Sequence, residues 1–197
     1  MSANADGPLL EKVPAASEAL ERLLRGNRDY LGARSKGADI SPLRREALSE
    51  HGQNPFAAIV TCSDSRVVPE HLFMLGLGDV FTVRVAGNVI ADAVRASCVY
   101  AAEHLGVPLI MVLGHTKCGA VQATLEGGAE GAVAVLTDRI ERAIKDERDP
   151  VRASEVNVRA AVAELLSDPV LSELIDEGKL AIVGALYRLE TGAVDLV

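Results

Sequence analysis

Ala57-Ala58-Ile59-Val60-Thr61-Cys62-Ser63-Asp64-Ser65-Arg66 is the stretch on which the fold turns. Its first five residues are small, apolar or β-branched, with no polar alternation. That is the pattern of a strand buried on both faces. At Cys62 the run stops, and the next four residues are polar. In an open parallel sheet, ligands bind just beyond the carboxyl ends of buried strands.

Three further runs share the pattern: Val80–Val85, Pro108–Leu113 and Leu180–Leu186. The segments between them carry helical periodicity. Pro69 opens a short helix through Met74. From about Ala91 to Leu105, Val94, Cys98, Ala101 and Ala102 share one face. Another helix starts near Cys118 and ends at Gly127-Gly128. Residues 132–148 and 154–166 fit two more, broken apart at Asp149-Pro150, and a shorter one follows Pro169. Thr191-Gly192 reads as a turn into a short last strand. Such alternation predicts an α/β fold, a single domain with a mainly parallel central β-sheet flanked by helices.

Working outward, 57–197 is the α/β core, 14–50 an N-terminal helical arm, and 1–12 a loose terminus. Within the arm, Ala16, Leu20, Leu23, Leu24 and Leu31 recur at helical spacing. Ser41-Pro42 opens a second helix, with proline suited to the first turn. Neither helix links two strands, so both are expected to pack against a partner subunit.

Composition narrows the function. The 197 residues are enough for one sizeable core, and 49% are hydrophobic, too many for a disordered chain. A formal net charge of -8 argues against nucleic acid and against an anionic membrane surface as partner. The opening residues lack a basic, then apolar, leader, and no apolar run approaches a membrane span. A cytoplasmic protein is expected. Three cysteines, at 62, 98 and 118, are too few and odd in number for a disulfide framework.

Two of those cysteines end strands or begin helices. Cys62 follows the first strand; His115 and Cys118 follow the third, within Gly114-His115-Thr116-Lys117-Cys118-Gly119. Two thiolates and one imidazole at neighbouring strand ends suit a zinc ion and leave a fourth position open, as catalytic sites do. A helix N-terminus at Cys118 favours its thiolate. Asp64 and Arg66, two apart, can pair as carboxylate and guanidinium beside the metal, with the carboxylate held ionised. Asp64 is also the one obvious fourth ligand for a permanently closed, structural site. Cys98 reads as packing, His104 as a helix C-terminal residue, and His51 and His71 as solvated side chains.

These motifs together closely resemble the β-carbonic anhydrase family, from the first helices to the Gly184-Ala185-Leu186-Tyr187 strand. The resemblance implies one zinc per chain on Cys62, His115 and Cys118, with Asp64 and Arg66 as a catalytic dyad beside the metal. It implies a substrate pocket lined by Gln53, Phe81 and Tyr100. It implies reversible hydration of carbon dioxide to bicarbonate and a proton, by a homodimer or a multiple of dimers with the active site near the subunit interface. Two positions depart from the pattern: Val85 stands where many members have Asn, and Ile59 where a bicarbonate-inhibited subgroup has Trp. Hydrolysis of carbonyl sulfide or carbon disulfide at the same site, and a non-enzymatic zinc or redox module, are the alternatives.

Overall fold

The chain begins with three helices, α1 (Gly7–Lys12), α2 (Pro14–Leu31) and α3 (Pro42–His51). Strand β1 (Ala57–Thr61), helix α4 (Pro69–Leu72), strand β2 (Val80–Arg84), helix α5 (Asp92–Glu103) and strand β3 (Leu109–His115) follow. Helices α6 (Gly119–Leu125), α7 (Ala134–Ile144), α8 (Pro150–Leu166) and α9 (Pro169–Asp176) lead to strands β4 (Ala181–Tyr187) and β5 (Val194–Leu196). This computed structural model describes residues 7–33 and 38–197.

The sheet order is β2-β1-β3-β4-β5, parallel throughout except for β5, which runs antiparallel to β4. Every residue of β1, β3 and β4 is buried, so these strands are covered on both faces. The period-two pleat divides them between two cores. Ala57, Ile59, Leu109, Met111, Leu113, Val183 and Ala185 face α2 and the Leu72–Leu75 segment. Ala58, Val60, Ile110, Val112 and Ile182 face α5, α8 and α9. The edge strand β2 is only half-buried.

Two expectations about the arm change. Residues 7–12, expected to be loose, form α1, while 1–6 lie outside the described residues. The expected burial of α2 against a partner is met within its own chain. Ala16, Ala19, Leu20 and Leu23 join the core on one sheet face. Asn27 fastens the helix further: its Nδ2 donates to the carbonyls of Leu72 (3.3 Å) and Gly192 (2.9 Å), and its Oδ1 accepts from the Val194 N–H (3.1 Å). Gly26 allows the approach, because a Cβ there would overlap the Phe73 carbonyl. By contrast α3 buries none of its residues.

Helix limits also shift for local reasons. The helix expected through Met74 stops at Leu72, and Met74 takes a left-handed backbone (φ 53°). Asp149-Pro150 separates two helices but also opens the second. The Asp149 carboxylate accepts from the N–H groups of Val151 and Arg152, and Pro150 occupies the first turn, so α8 starts four residues before Ser154.

Candidate metal centre

Parallel pairing sets Thr61 of β1 against Leu113 of β3. Cys62 therefore leaves its strand level with Gly114, one residue short of His115. The chain leaves β1 toward β2 on one side of the sheet and reaches β3 on the other, so this is a switch point, where a crevice opens. The Thr61 hydroxyl donates to the Leu113 carbonyl (2.8 Å) and locks the two strand ends together. Past His115 the left-handed backbone of Lys117 (φ 55°) turns the loop, and Cys118 becomes the N-cap of α6.

The ligand atoms of Cys62, His115 and Cys118 lie within 4.8 Å of one another, and all three residues are buried. His115 Nδ1 lies 2.8 Å from the Thr116 carbonyl, which can only accept, so Nδ1 carries the proton. Nε2 is then an unprotonated acceptor with no hydrogen-bond partner, buried beside two sulfurs. A buried nitrogen lone pair without a donor is costly unless something electrophilic takes it. With two sulfurs at hand, the residues fit a divalent cation of zinc's preferences.

The sulfurs differ in charge. The Cys62 thiol is lowered well below its usual value, chiefly by a hydrogen bond from Cys118 and further by the Gly87 N–H (3.3 Å from Sγ). Cys118 is raised, because it donates to Cys62, is buried, and faces that negative charge. The helix start expected to favour a Cys118 thiolate does help through the N–H groups of Val121 and Ala120, but its neighbour outweighs it. Val89, Val121, Ile140 and Ile144 pack around both sulfurs.

Asp64 and Arg66 meet as their spacing suggested. Arg66 Nε donates to Asp64 Oδ1 (2.9 Å) and Nη2 to Oδ2 (2.7 Å), while the Arg66 N–H also reaches Oδ1 (2.9 Å). This fork holds the Asp64 carboxyl well below the usual carboxylate range. Arg66 is itself steadied by the Lys117 carbonyl (3.2 Å). Asp64 Oδ2 lies 3.9 Å from His115 Nε2, on the edge of the ligand cluster.

A family model described as carbonic anhydrase matches residues 57–194. A carbonic anhydrase 2 of Mycobacterium tuberculosis is 40% identical over 185 residues, covering 88% of this chain and 89% of that one. The β-carbonic anhydrase CcaA has a TM-score of 0.71 and 26% identity, with 91% of this chain and 98% of that chain covered. The chain belongs to the β-carbonic anhydrase family. Its activity is that of a carbonic anhydrase. A structure of tetrameric β-carbonic anhydrases from Sordaria macrospora aligns with TM-score 0.71 and 27% identity over 91% of this chain and 97% of that one.

Three residues expected to line this carbonic anhydrase's pocket do not join the ligand cluster within one chain. Phe81 pairs with Ala58, four residues before Cys62, which at roughly 3.3 Å per residue puts it about 13 Å back along the sheet. Tyr100 packs beside Phe81, ring centroids 6.1 Å apart, and is 46% exposed. Gln53 is exposed in the segment before β1. Phe81 and Tyr100 thus form a half-open aromatic edge at β2 and α5.

Other residues at the site escaped the sequence reading. Arg84 reaches across from β2 to the carbonyls of Cys62 (3.2 Å) and Asp64 (2.7 Å), holding the first ligand loop. Thr116 and Glu190 hold the second: the Thr116 hydroxyl donates to Glu190 (2.8 Å) and accepts from the Leu189 N–H (3.0 Å). Lys117 adds an ion pair to Glu190 (3.2 Å). No local signal marks Thr116 or Glu190, which are 74 residues apart. Of the remaining residues, Cys98 is fully buried and its thiol is pushed up to about 12 by burial, as packing requires. His51, His71 and His104 are exposed.

Proposed function

We propose that the chain catalyses reversible hydration of carbon dioxide to bicarbonate and a proton, with one zinc ion held by Cys62, His115 and Cys118. The grip of Arg66 on Asp64 carries this reading. A carboxylate occupied by a bidentate guanidinium is not free to serve as a permanent fourth ligand, which favours a catalytic over a structural centre. A bound zinc ion lowers the pKa of water from 15.7 to about 7 and so supplies a hydroxide nucleophile at neutral pH.

The residues supply the rest. Thr116 fixes the His115 tautomer so that a lone pair points inward. Asp64, kept ionised by Arg66, is placed to accept a hydrogen bond from that hydroxide and so to orient it. The apolar shell around the sulfurs keeps water off the ligand side. Gln53, Phe81 and Tyr100 orient substrate in a pocket completed by a second copy, whose β2–α5 edge lies against this copy's metal centre. The half-exposed Tyr100 and the open β2 edge support this, as does the tetrameric state of the Sordaria proteins. The molecule works as a homodimer or multiple of dimers in the cytoplasm; no described helix is long and apolar enough to cross a membrane.

Stopped-flow hydration of carbon dioxide by zinc-loaded protein tests the reading, with carbonyl sulfide and carbon disulfide as competing substrates. Rapid hydration that disappears with the metal is expected. Faster turnover of either sulfur compound would transfer the assignment to a hydrolase.

A further inference from the structure

Asn157 is an anomaly on its helix. It stands on the inward face of α8 between Ala153, Val158 and Ala161, and it is 3% exposed. Burying an amide there costs free energy that an apolar side chain would not, unless its hydrogen bonds are specific. The one its Nδ2 makes runs to the carbonyl of Gly87, 2.8 Å away and 70 residues distant in sequence. Gly87 is also the residue whose N–H meets the Cys62 sulfur at 3.3 Å.

Gly87 needs such an anchor. Its backbone is left-handed (φ 72°, ψ 12°). A side chain there would come within 2.8 Å of Ile140 Cδ1 and 3.0 Å of Ala120 Cβ. Glycine is therefore required, and glycine is the residue that explores backbone conformations most freely. Rotation about its φ and ψ would carry the N–H away from the sulfur. Fixing the carbonyl on one side of its Cα restrains the N–H on the other.

We infer that Asn157 is a positioning residue of the metal centre, which holds Gly87 so that its N–H stays hydrogen-bonded to the Cys62 sulfur. This rests on the zinc-site reading above. An N–H aimed at a ligand sulfur orients its lone pairs and draws off part of its charge. Groups that orient metal ligands in this way change metal affinity by about 10–100-fold when lost.

Cadmium-113 replaces zinc at thiolate sites and reports hydrogen bonds to its ligands by NMR. In the full-length protein loaded with one cadmium-113, a coupling between the metal and the Gly87 amide proton, through Cys62 Sγ, is expected. Asn157→Ala and the milder Asn157→Ser, whose hydroxyl is too short to reach Gly87, should lose that coupling. They should also bind zinc about 10–100-fold more weakly in chelator competition, while still unfolding cooperatively. A merely structural role would lower the melting temperature and leave the coupling. A coupling of native size in Asn157→Ser, or none at Gly87 in the native protein, overturns the inference alone. Failure to bind one cadmium at Cys62, His115 and Cys118 overturns the zinc-site reading and the inference with it.

Discussion

The carboxylate Oδ2 of Asp64 stands 3.9 Å from Nε2 of His115, while the same oxygen accepts the Arg66 Nη2 at 2.7 Å. One carboxylate thus lies between a guanidinium and the ligand cluster, and the grip of Arg66 should decide which it serves. Arg66→Ala frees Asp64 to swing onto the metal. Activity should fall about 10²-fold, the scale of losing a positioned acid–base group. Zinc X-ray absorption or crystallography at acid and alkaline pH should show the carboxylate bound. Two sulfurs, one nitrogen and one exchangeable water at every pH, in both native protein and variant, would rule the switch out.

Loss of a ligand should be more severe than loss of any supporting bond. Cys118→Ala removes one of the two sulfurs from the Cys62, His115 and Cys118 cluster, whose ligand atoms lie within 4.8 Å of one another. Zinc affinity should drop by more than 100-fold, beyond the upper range for outer positions, and hydration should vanish with the metal. Metal analysis after dialysis is the check. Full zinc occupancy in this variant would remove Cys118 from the ligand set.

Acid should weaken the fold through two carboxylates. Glu190 is held down at about 2 from an ordinary 4.5, first by its own backbone N–H and then by Thr116 and Lys117. Asp64 is lowered by Arg66. A carboxyl whose folded pKa is depressed stabilises the fold above its unfolded value and ceases to do so as pH falls through the folded one. Stability of the metal-free protein should therefore hold down to about pH 4.5 and decline toward pH 2. In Glu190→Gln the decline should be shallower, since that side chain no longer titrates. Denaturant midpoints across this range measure both, and identical slopes would refute the role given to Glu190.

Gly26→Ala should destabilise the protein, although alanine is the better helix former by about 1 kcal/mol. The added Cβ would overlap the Phe73 carbonyl, which is backbone and cannot rotate aside. Overpacking of this kind costs about 1–3 kcal/mol. The melting temperature should fall. A rise would mean that α2 can stand off the Phe73 turn at no cost.

Association should be required for activity, because Gln53, Phe81 and Tyr100 do not reach the ligand cluster in one chain. Sedimentation at micromolar concentration should give a dimer or a multiple of dimers. Tyr100→Ala should impair assembly and turnover together. An active monomer would overturn the shared pocket.

Much of the core was legible because β1, β3 and β4 are buried on both faces and so read as unbroken apolar runs. The clustering of Cys62, His115 and Cys118 was legible because Cys62 follows β1, His115 ends β3 and Cys118 caps the next helix, so neighbouring strand ends bring them together. Asp64 and Arg66 were legible from their spacing. The docking of α2 was not, since an amphipathic helix looks the same whether its own sheet or another subunit covers it. Asn157 drew no notice in the sequence, because only the folded chain shows Gly87 opposite it. Glu190 gave no local sign, because its role depends on a loop 74 residues earlier.

The tie between the second ligand loop and the last strands also dictates when the centre can exist. Thr116 donates its N–H to the Tyr187 carbonyl (3.0 Å), and its hydroxyl is shared between Leu189 and Glu190. His115 and Cys118 are synthesised some seventy residues before the segment that braces them, and Cys62 earlier still. A nascent chain ending before Tyr187 carries every sulfur and imidazole yet has no fixed place for His115 and Cys118. An ion held by these three residues would therefore be captured only once the last strands are in place, which ties loading of the centre to the end of synthesis.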